Sequence, residues 1–385
     1  MRQANNKYKI VLYGPPIGKN IRKGSGGGVG GYTRNMQAYL HSLDLVGFQL
    51  RPLFHTVRGQ FSLGPLTPVW RMIVDATKLL WTLTFQRPQG IHILAQYRDA
   101  LPREALAAFL CKLFGVRLIY DVKAGSFETS FQNRGRMYKW MATFVLKQAS
   151  VILVEGSRYQ NFISEKFGRK STYFPNFVPS SELPPERTNL LSEATIRVLF
   201  VGYCYPGKGV WELVEGVRKA ALDGLKVELT LIGAESYDFS AKVDQLPEIS
   251  GFRLIRCGRL AHQDVLAHMR HNDIYGYPTR HPGEGHSNSV NEAMMNGLVI
   301  VASRRGFLPD ILEEDKEALF LEQITPESVA ERLNWIHSHR DVARNIAAEA
   351  RKKLLRTYTS SAVQAVLEGA YLECFKSNRK AKASP

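Results

Sequence analysis

Cysteine is scarce and unpaired. Its four copies, Cys111, Cys204, Cys257 and Cys374, are scattered over 385 residues, with none of the paired spacings of a zinc knuckle or disulfide framework. The expectation is buried, reduced thiols in a cytoplasmic protein. Long apolar runs are missing too. The longest, from about Val69 to Phe85, is interrupted by Arg71, Asp75 and Lys78, which excludes a membrane-spanning helix. Lys7-Tyr-Lys-Ile-Val-Leu-Tyr-Gly14 reads as a charged lead-in to a short buried strand, not as a secretory leader. The ten histidines show no metal-ligand spacing, so no metal and no cofactor are expected. No helix-turn-helix, zinc-finger or RNP-type signature is present, which argues against nucleic acid as a partner.

Acidic residues are also short, but only locally. Residues 1–180 hold 25 Lys and Arg against 8 Asp and Glu, a net of +17, so the rest of the chain is close to neutral and the formal +16 belongs to the first half. Such a half implies an anionic partner, whether a membrane or a phosphorylated substrate. Basic and large apolar residues interleave there, as in Trp70-Arg71, Lys78-Leu-Leu-Trp81 and Arg136-Met-Tyr-Lys139-Trp140. That pattern suits a peripheral face on an anionic membrane; helices with their basic side toward water would give it too.

What is present is an α/β pattern with room for two domains at this length. Short branched-aliphatic runs at Lys9–Tyr13, Ile91–Ala95, Arg117–Asp121 and Val151–Val154 alternate with helical stretches near 30–43 and 103–114. This predicts a doubly wound parallel sheet. Pro179–Glu193 reads as an interdomain linker. A second series follows, with strands at Arg197–Val201, Val227–Ile232, Phe252–Ile255, Asp273–Tyr277 and Leu298–Ser303. Ser360–Phe375 reads as one amphipathic helix and Lys376–Pro385 as a frayed basic tail.

The densest chemistry lies in Pro-Gly-Glu284-Gly-His-Ser-Asn-Ser-Val-Asn-Glu292-Ala-Met-Met-Asn-Gly297. It reads as a strand, a Gly/Pro loop, a short helix stopped by Gly297, then a buried strand. In a parallel sheet such a loop stands at the carboxyl edge, where ligands bind. Ser287 and Asn288 fall at the helix start, where free N–H groups attract phosphate. One of Glu284 and Glu292 could accept sugar hydroxyls and the other ribose hydroxyls, with a diphosphate between. Gly285 and His286 complete this donor loop, and His281 flanks it. Lys208, in Gly207-Lys208-Gly209 after the strand 197–201, is placed to neutralise a diphosphate. In the first half, Gly26-x-Gly28-x-x-Gly31 departs from a dinucleotide fingerprint, because its strand ends near Tyr13 and no ribose-binding acid follows. Gly28 and Gly30 are read instead as a cleft-lining loop. Asp121 could accept from a hydroxyl and Lys123 hold a phosphate; a structural role for the two is an equal alternative.

In order along the chain these features resemble the retaining glycosyltransferases of family 4. The strongest part is Glu284–Asp310, with support from Phe200-Val-Gly202, Lys208-Gly209, Phe174-Pro-Asn176, Leu231-Ile-Gly233 and the Gly26–Gly31 loop. The resemblance implies the GT-B fold: two facing Rossmann-like, doubly wound domains with a cleft between them. Residues 1–180 would bind the acceptor, with helix 360–376 packing back on them, and 194–359 would bind a nucleotide-diphosphate sugar. Glu284 would hold the donor sugar, backbone near Ser287 and Asn288 the diphosphate, Glu292 the ribose, and Lys208 the leaving diphosphate without a metal. The implied reaction is hexosyl transfer to a lipid-linked saccharide acceptor in exopolysaccharide or lipopolysaccharide synthesis, at the inner face of the cell membrane. Two departures stand out. Tyr203 occupies the place of an arginine that many members carry, leaving Arg304 or Arg305 to supply that contact. The usual acceptor-side histidine has no counterpart in Asp121-Val-Lys123-Ala-Gly125. The alternative is a catalytically idle subunit of the same fold that binds a partner glycosyltransferase or the membrane.

Overall fold

The computed structural model describes residues 7–17, 28–57, 64–123 and 125–381, without the side chains of 28–30 and 377–381. The chain divides into two compact units, Met1–Pro179 with Ser360–Pro385, and Ser180–Thr359.

The first unit holds strands β1 (Tyr8–Gly14), β2 (Phe48–Phe54), β3 (Gly90–Ala95), β4 (Arg117–Val122), β5 (Val151–Val154) and β6 (Thr172–Tyr173). They form one sheet in the order β2-β1-β3-β4-β5-β6, every pair parallel. β3 is buried throughout, as strands covered on both faces must be, which is why it reads as an apolar run interrupted only by His92. β2 escapes that reading: Gln49, Arg51 and Pro52 break its apolar pattern, and Pro52 is tolerated because β2 is an edge strand. The run 69–85 forms a helix, Thr67–Trp81, closed by a π turn, Thr82–Gln86. Among the described residues no helix is long and apolar enough to cross a membrane.

The helix Ser360–Ala381 belongs to this unit, and its backbone stays helical beyond Lys376, where a frayed tail was expected. Val363, Leu367, Ala370, Tyr371 and Cys374 recur at helical spacing and are all buried. Each large side chain among them contributes about 1.5–3 kcal/mol of burial. Phe375 stacks on Tyr8 with centroids 4.6 Å apart.

Beneath this helix lies a polar cluster that favours the structural alternative for Asp121 and Lys123 over ligand contact. Both side chains are fully buried and pair with each other at 3.6 Å. Asp121 also accepts from Tyr39 at 2.5 Å and faces His92 Nε2 at 3.4 Å. His92 Nδ1 meets the Tyr371 hydroxyl at 2.7 Å, and Lys123 donates to the Phe174 carbonyl at 2.7 Å. Asp121 lies inside β4, below the sheet edge, so its partners are structural. Burial pushes its carboxyl up, but Lys123, His92 and Tyr39 together outweigh burial and hold it below the usual range.

The second unit holds β7 (Ile196–Val201), β8 (Val227–Ile232), β9 (Phe252–Gly258), β10 (Ile274–Tyr277), β11 (Val299–Ser303) and β12 (Leu319–Leu321). Its sheet is also wholly parallel, in the order β12-β11-β10-β7-β8-β9. The stretch expected as a linker is instead strapped onto this unit. Leu190 and Leu191 are buried. Arg187 pairs with Asp273 at 3.0 Å, and Arg340 donates to the Leu191 carbonyl at 2.9 Å. All four cysteines are free, and burial pushes the thiols of Cys111 and Cys204 up to about 12.

Asp121→Asn leaves the Lys123 ammonium buried without its anion. It is expected to destabilise the first unit by about 3–5 kcal/mol, read as the shift of its transition in urea. Because the Asp121 carboxyl is held low in the folded state, its contribution is full above its unfolded value of about 3.9. It is lost as pH falls through the lower folded value, so the acid limb of stability should be shallower in the variant.

Candidate functional site

In the second sheet, β7 and β10 are neighbours although β8 and β9 lie between them in sequence. Chains leaving these two strands therefore diverge to opposite sides, which opens a crevice at their carboxyl ends. The loop after β7 carries Lys208, and the loop after β10 carries Glu284. The structure brings them together: Lys208 Nζ lies 2.6 Å from Glu284 Oε2.

Two neighbours complete the cluster, and neither was singled out in the sequence. Tyr277, the last residue of β10, donates to Glu284 Oε1 at 2.8 Å, and Thr279 donates to Oε2 at 3.0 Å. Lys208 also donates to the Tyr277 hydroxyl at 3.1 Å. Burial, reinforced by the Glu284 charge, drives the Tyr277 phenol well above its ordinary value, so it remains a donor. Tyr275 and Tyr277 share one face of the strand, with rings 5.6 Å apart, and Tyr275 donates to Ser289 at 2.7 Å. The period-2 spacing of Tyr275-Gly-Tyr277 was the available signal.

Close backbone packing fixes both loops. Gly209 has φ +63°, and a Cβ there would overlap the Pro278 carbonyl. Gly306, at φ +58°, packs likewise on the Glu284 carbonyl, to which Phe307 N also donates at 3.2 Å. Arg304 is committed elsewhere, pairing with Glu314 at 2.7 Å and lying over Phe320. Arg305 is exposed.

Ser287 stands just before the helix Asn288–Met295 and makes no side-chain cap bond to it; its hydroxyl lies 3.0 Å from that of Ser289. Gly285, Ser287 and Asn288 are half-buried. His286 departs from the donor-loop reading. Its ring is buried, with Nε2 on Asn291 at 2.8 Å and its edge against Tyr358, because the loop turns inward there. Glu292 is buried in its helix and faces His262 Nδ1 at 3.9 Å. His262 in turn lies 3.5 Å from Glu182. Tyr203 stacks on Tyr205 with centroids 5.3 Å apart.

In the first unit, Gly28 and Gly30 sit in the opening turn of the helix Gly28–His41, not in a loop; Gly26 lies outside the described residues. The carboxyl end of β3 carries a feature that sequence reasoning missed. Tyr97 and Arg98 adopt φ values of +29° and +47°, which costs non-glycine residues about 1–3 kcal/mol each. Buried Glu104 holds the turn, accepting from the Gln96 and Tyr97 amides at 2.8 and 3.0 Å and from Tyr120 at 2.6 Å. Tyr97 and Arg98 both donate to Ser126, the former at 3.1 Å.

Residues 195–339 match the protein family described as Glycosyl transferases group 1. Nearly the whole chain superposes on solved structures. One is HepE from Anabaena in complex with UDP and glucose, 15% identical, covering 94% of this chain and 99% of that one, with a TM-score of 0.65. Another is the sucrose-phosphate synthase of Thermosynechococcus elongatus, 13% identical, covering 96% and 100%, with a TM-score of 0.72. A glycosyltransferase from Rickettsia africae ESF-5 is 14% identical, covering 96% and 99%, with a TM-score of 0.65. The fold is GT-B. No curated protein matches the chain in sequence. The Lys208–Glu284 cluster and Glu292 all fall inside the region matched to the family.

Gly209→Ala is expected to destabilise the second unit by about 1–3 kcal/mol, read by urea unfolding. Gly258→Ala is the control, since Gly258 has nearly the same φ of +64° but no atom within 4 Å of its would-be Cβ. The Gly209 variant should cost clearly more.

Proposed function

We propose that this protein is a metal-independent, retaining glycosyltransferase of family 4. It moves a hexosyl group from a nucleotide-diphosphate sugar to a lipid-linked saccharide in surface polysaccharide synthesis, at the inner face of the cell membrane. The observation that carries the reading is the Lys208–Glu284–Tyr277 cluster at the switch point between β7 and β10. In the reaction the bond from the anomeric carbon to the diphosphate breaks, and the acceptor oxygen bonds to that carbon. The acceptor hydroxyl gives up its proton to the oxygen of the leaving diphosphate. Negative charge grows on the leaving diphosphate, where the Lys208 ammonium stabilises it. Glu284, held by Tyr277 and Thr279, accepts from hydroxyls of the donor sugar. Backbone at Gly285, Ser287 and Asn288 meets the diphosphate, and Glu292 takes the ribose. Arg305 is the arginine left to make the contact that Tyr203 does not.

Lys208→Ala and Glu292→Ala each remove a charged hydrogen-bonding group, worth about 1.5–3 kcal/mol. Each is therefore expected to weaken nucleotide-sugar binding about tenfold or more by calorimetry. Unchanged affinity in both variants rejects the site. A thermal-shift screen of UDP-, GDP- and ADP-sugars should identify one donor class that raises the melting temperature. A folded chain that responds to none of them favours the idle-subunit alternative.

A further inference from the structure

The helix Thr67–Trp81 buries Leu79 on its inward side and yet is apolar on its outward side as well. Its inward side anchors on a polar group: buried Asp75 accepts from the Thr56 amide at 2.8 Å and hydroxyl at 3.0 Å. Its outward side carries Val69, Trp70, Ile73, Leu80 and Trp81, spaced as one helical stripe and between 38% and 55% exposed. Surface helices of water-soluble domains bury such a stripe, and an exposed one marks a binding surface.

Part of the stripe forms one wall of a groove of about 650 Å³, lined by Leu53, Trp70, Ile73, Val74, Trp81 and Lys78 among others. That is within the range of small-molecule sites, about 300–1,000 Å³. Its wall is apolar even where threonines stand. Thr77 donates its hydroxyl to the Ile73 carbonyl at 2.9 Å, and Thr82 donates to the Lys78 carbonyl at 2.9 Å. Among the described residues no carboxylate lines the groove, and Lys78 is the one charged side chain that does. Lys78 spends one weak hydrogen bond on the Phe54 carbonyl at 3.3 Å, and an ammonium has three donors.

An apolar groove with a single cation fits an amphiphile with a long hydrocarbon chain and one anionic head. A phosphate, with up to two negative charges and three acceptor oxygens, uses the donors of an ammonium better than a carboxylate does. We propose that this groove binds a lipid phosphate, its chain along Trp70, Ile73 and Trp81 and its phosphate on Lys78. Trp indoles flank the chain where the groove meets water. The proposal rests on the lipid-linked acceptor of the functional reading, and it places that acceptor's lipid portion.

The test uses the full chain and farnesyl phosphate below its micelle concentration, with farnesol and laurate as controls. Binding is measured by calorimetry and by the emission of Trp70 and Trp81. Wild type should bind farnesyl phosphate at least tenfold more tightly than either control, with a blue shift that Trp70→Phe/Trp81→Phe abolishes. Ile73→Glu, at a half-exposed position, should lose binding by tenfold or more. Lys78→Ala should lose the preference for phosphate over farnesol. Val69→Glu, on the stripe but outside the groove, should bind as wild type does. Equal binding of farnesyl phosphate and laurate, or Val69→Glu matching Ile73→Glu, overturns the proposal. So does concentration-dependent self-association that Ile73→Glu abolishes, because a second copy would then be the occupant. UDP-, GDP- and ADP-sugar binding by the same Ile73→Glu protein separates the two readings. Lost donor binding in wild type removes the transferase reading and leaves the lipid result standing.

Discussion

The approach of the Gly209 backbone to the Pro278 carbonyl sets the spacing on which the second unit's chemistry depends. β7 and β10 are adjacent, but a sheet fixes only its strands, not the loops that leave them. Here two loops meet backbone to backbone, with Arg280 N donating to the Gly207 carbonyl at 3.0 Å as a further tie. Lys208 and Glu284 can then pair without a long search through rotamers. The pair is mostly shielded from water, its side chains 19% and 11% exposed, so it is screened less than a surface pair. Tyr277 and Thr279 donate to the same carboxylate, which helps a shielded charge to be tolerated and still leaves acceptor capacity for a further donor.

The first unit solves a different problem. A wholly parallel sheet must be covered on both faces, and part of that cover comes from the chain's far end. The buried Asp121–Lys123 pair is costly to desolvate, and four further partners offset the cost. One of them, Tyr371 through His92, comes from the covering helix. A polar network in that place also selects one docking of the helix, since a slipped register would strand the His92 ring.

Much of this was legible in the sequence, and the failures have physical causes. Strands buried on both faces announce themselves as branched-aliphatic runs, so β3, β5, β8 and β11 were readable to within a residue or so. β2 was not, because an edge strand admits Arg51 and Pro52, and β6 and β12 are too short to show a period. In the second unit, Lys208 and Glu284 were marked by glycine-rich loops, while Tyr277 and Thr279 were not. A tyrosine closing a strand looks like core until the carboxylate beside it is seen. Asp121 and Lys123 stood open between ligand contact and a structural role. Charges two positions apart at the end of a strand read as a binding edge, and only the arrival of Tyr39, His92 and Tyr371 from distant sequence makes them an interior.

The helix Ser360–Ala381 has a consequence for how the chain is made. Ser360 N donates to the Val178 carbonyl at 2.9 Å, so the segment that leaves the first unit and the segment that returns lie side by side. All of Ser180–Thr359 is inserted between them. On the ribosome, every residue of the second unit therefore emerges before Tyr371 does. The second unit has its whole sequence available while the first still lacks the side chain that caps His92. Synthesis usually lets the amino-terminal domain finish first; in this chain the order of completion is reversed.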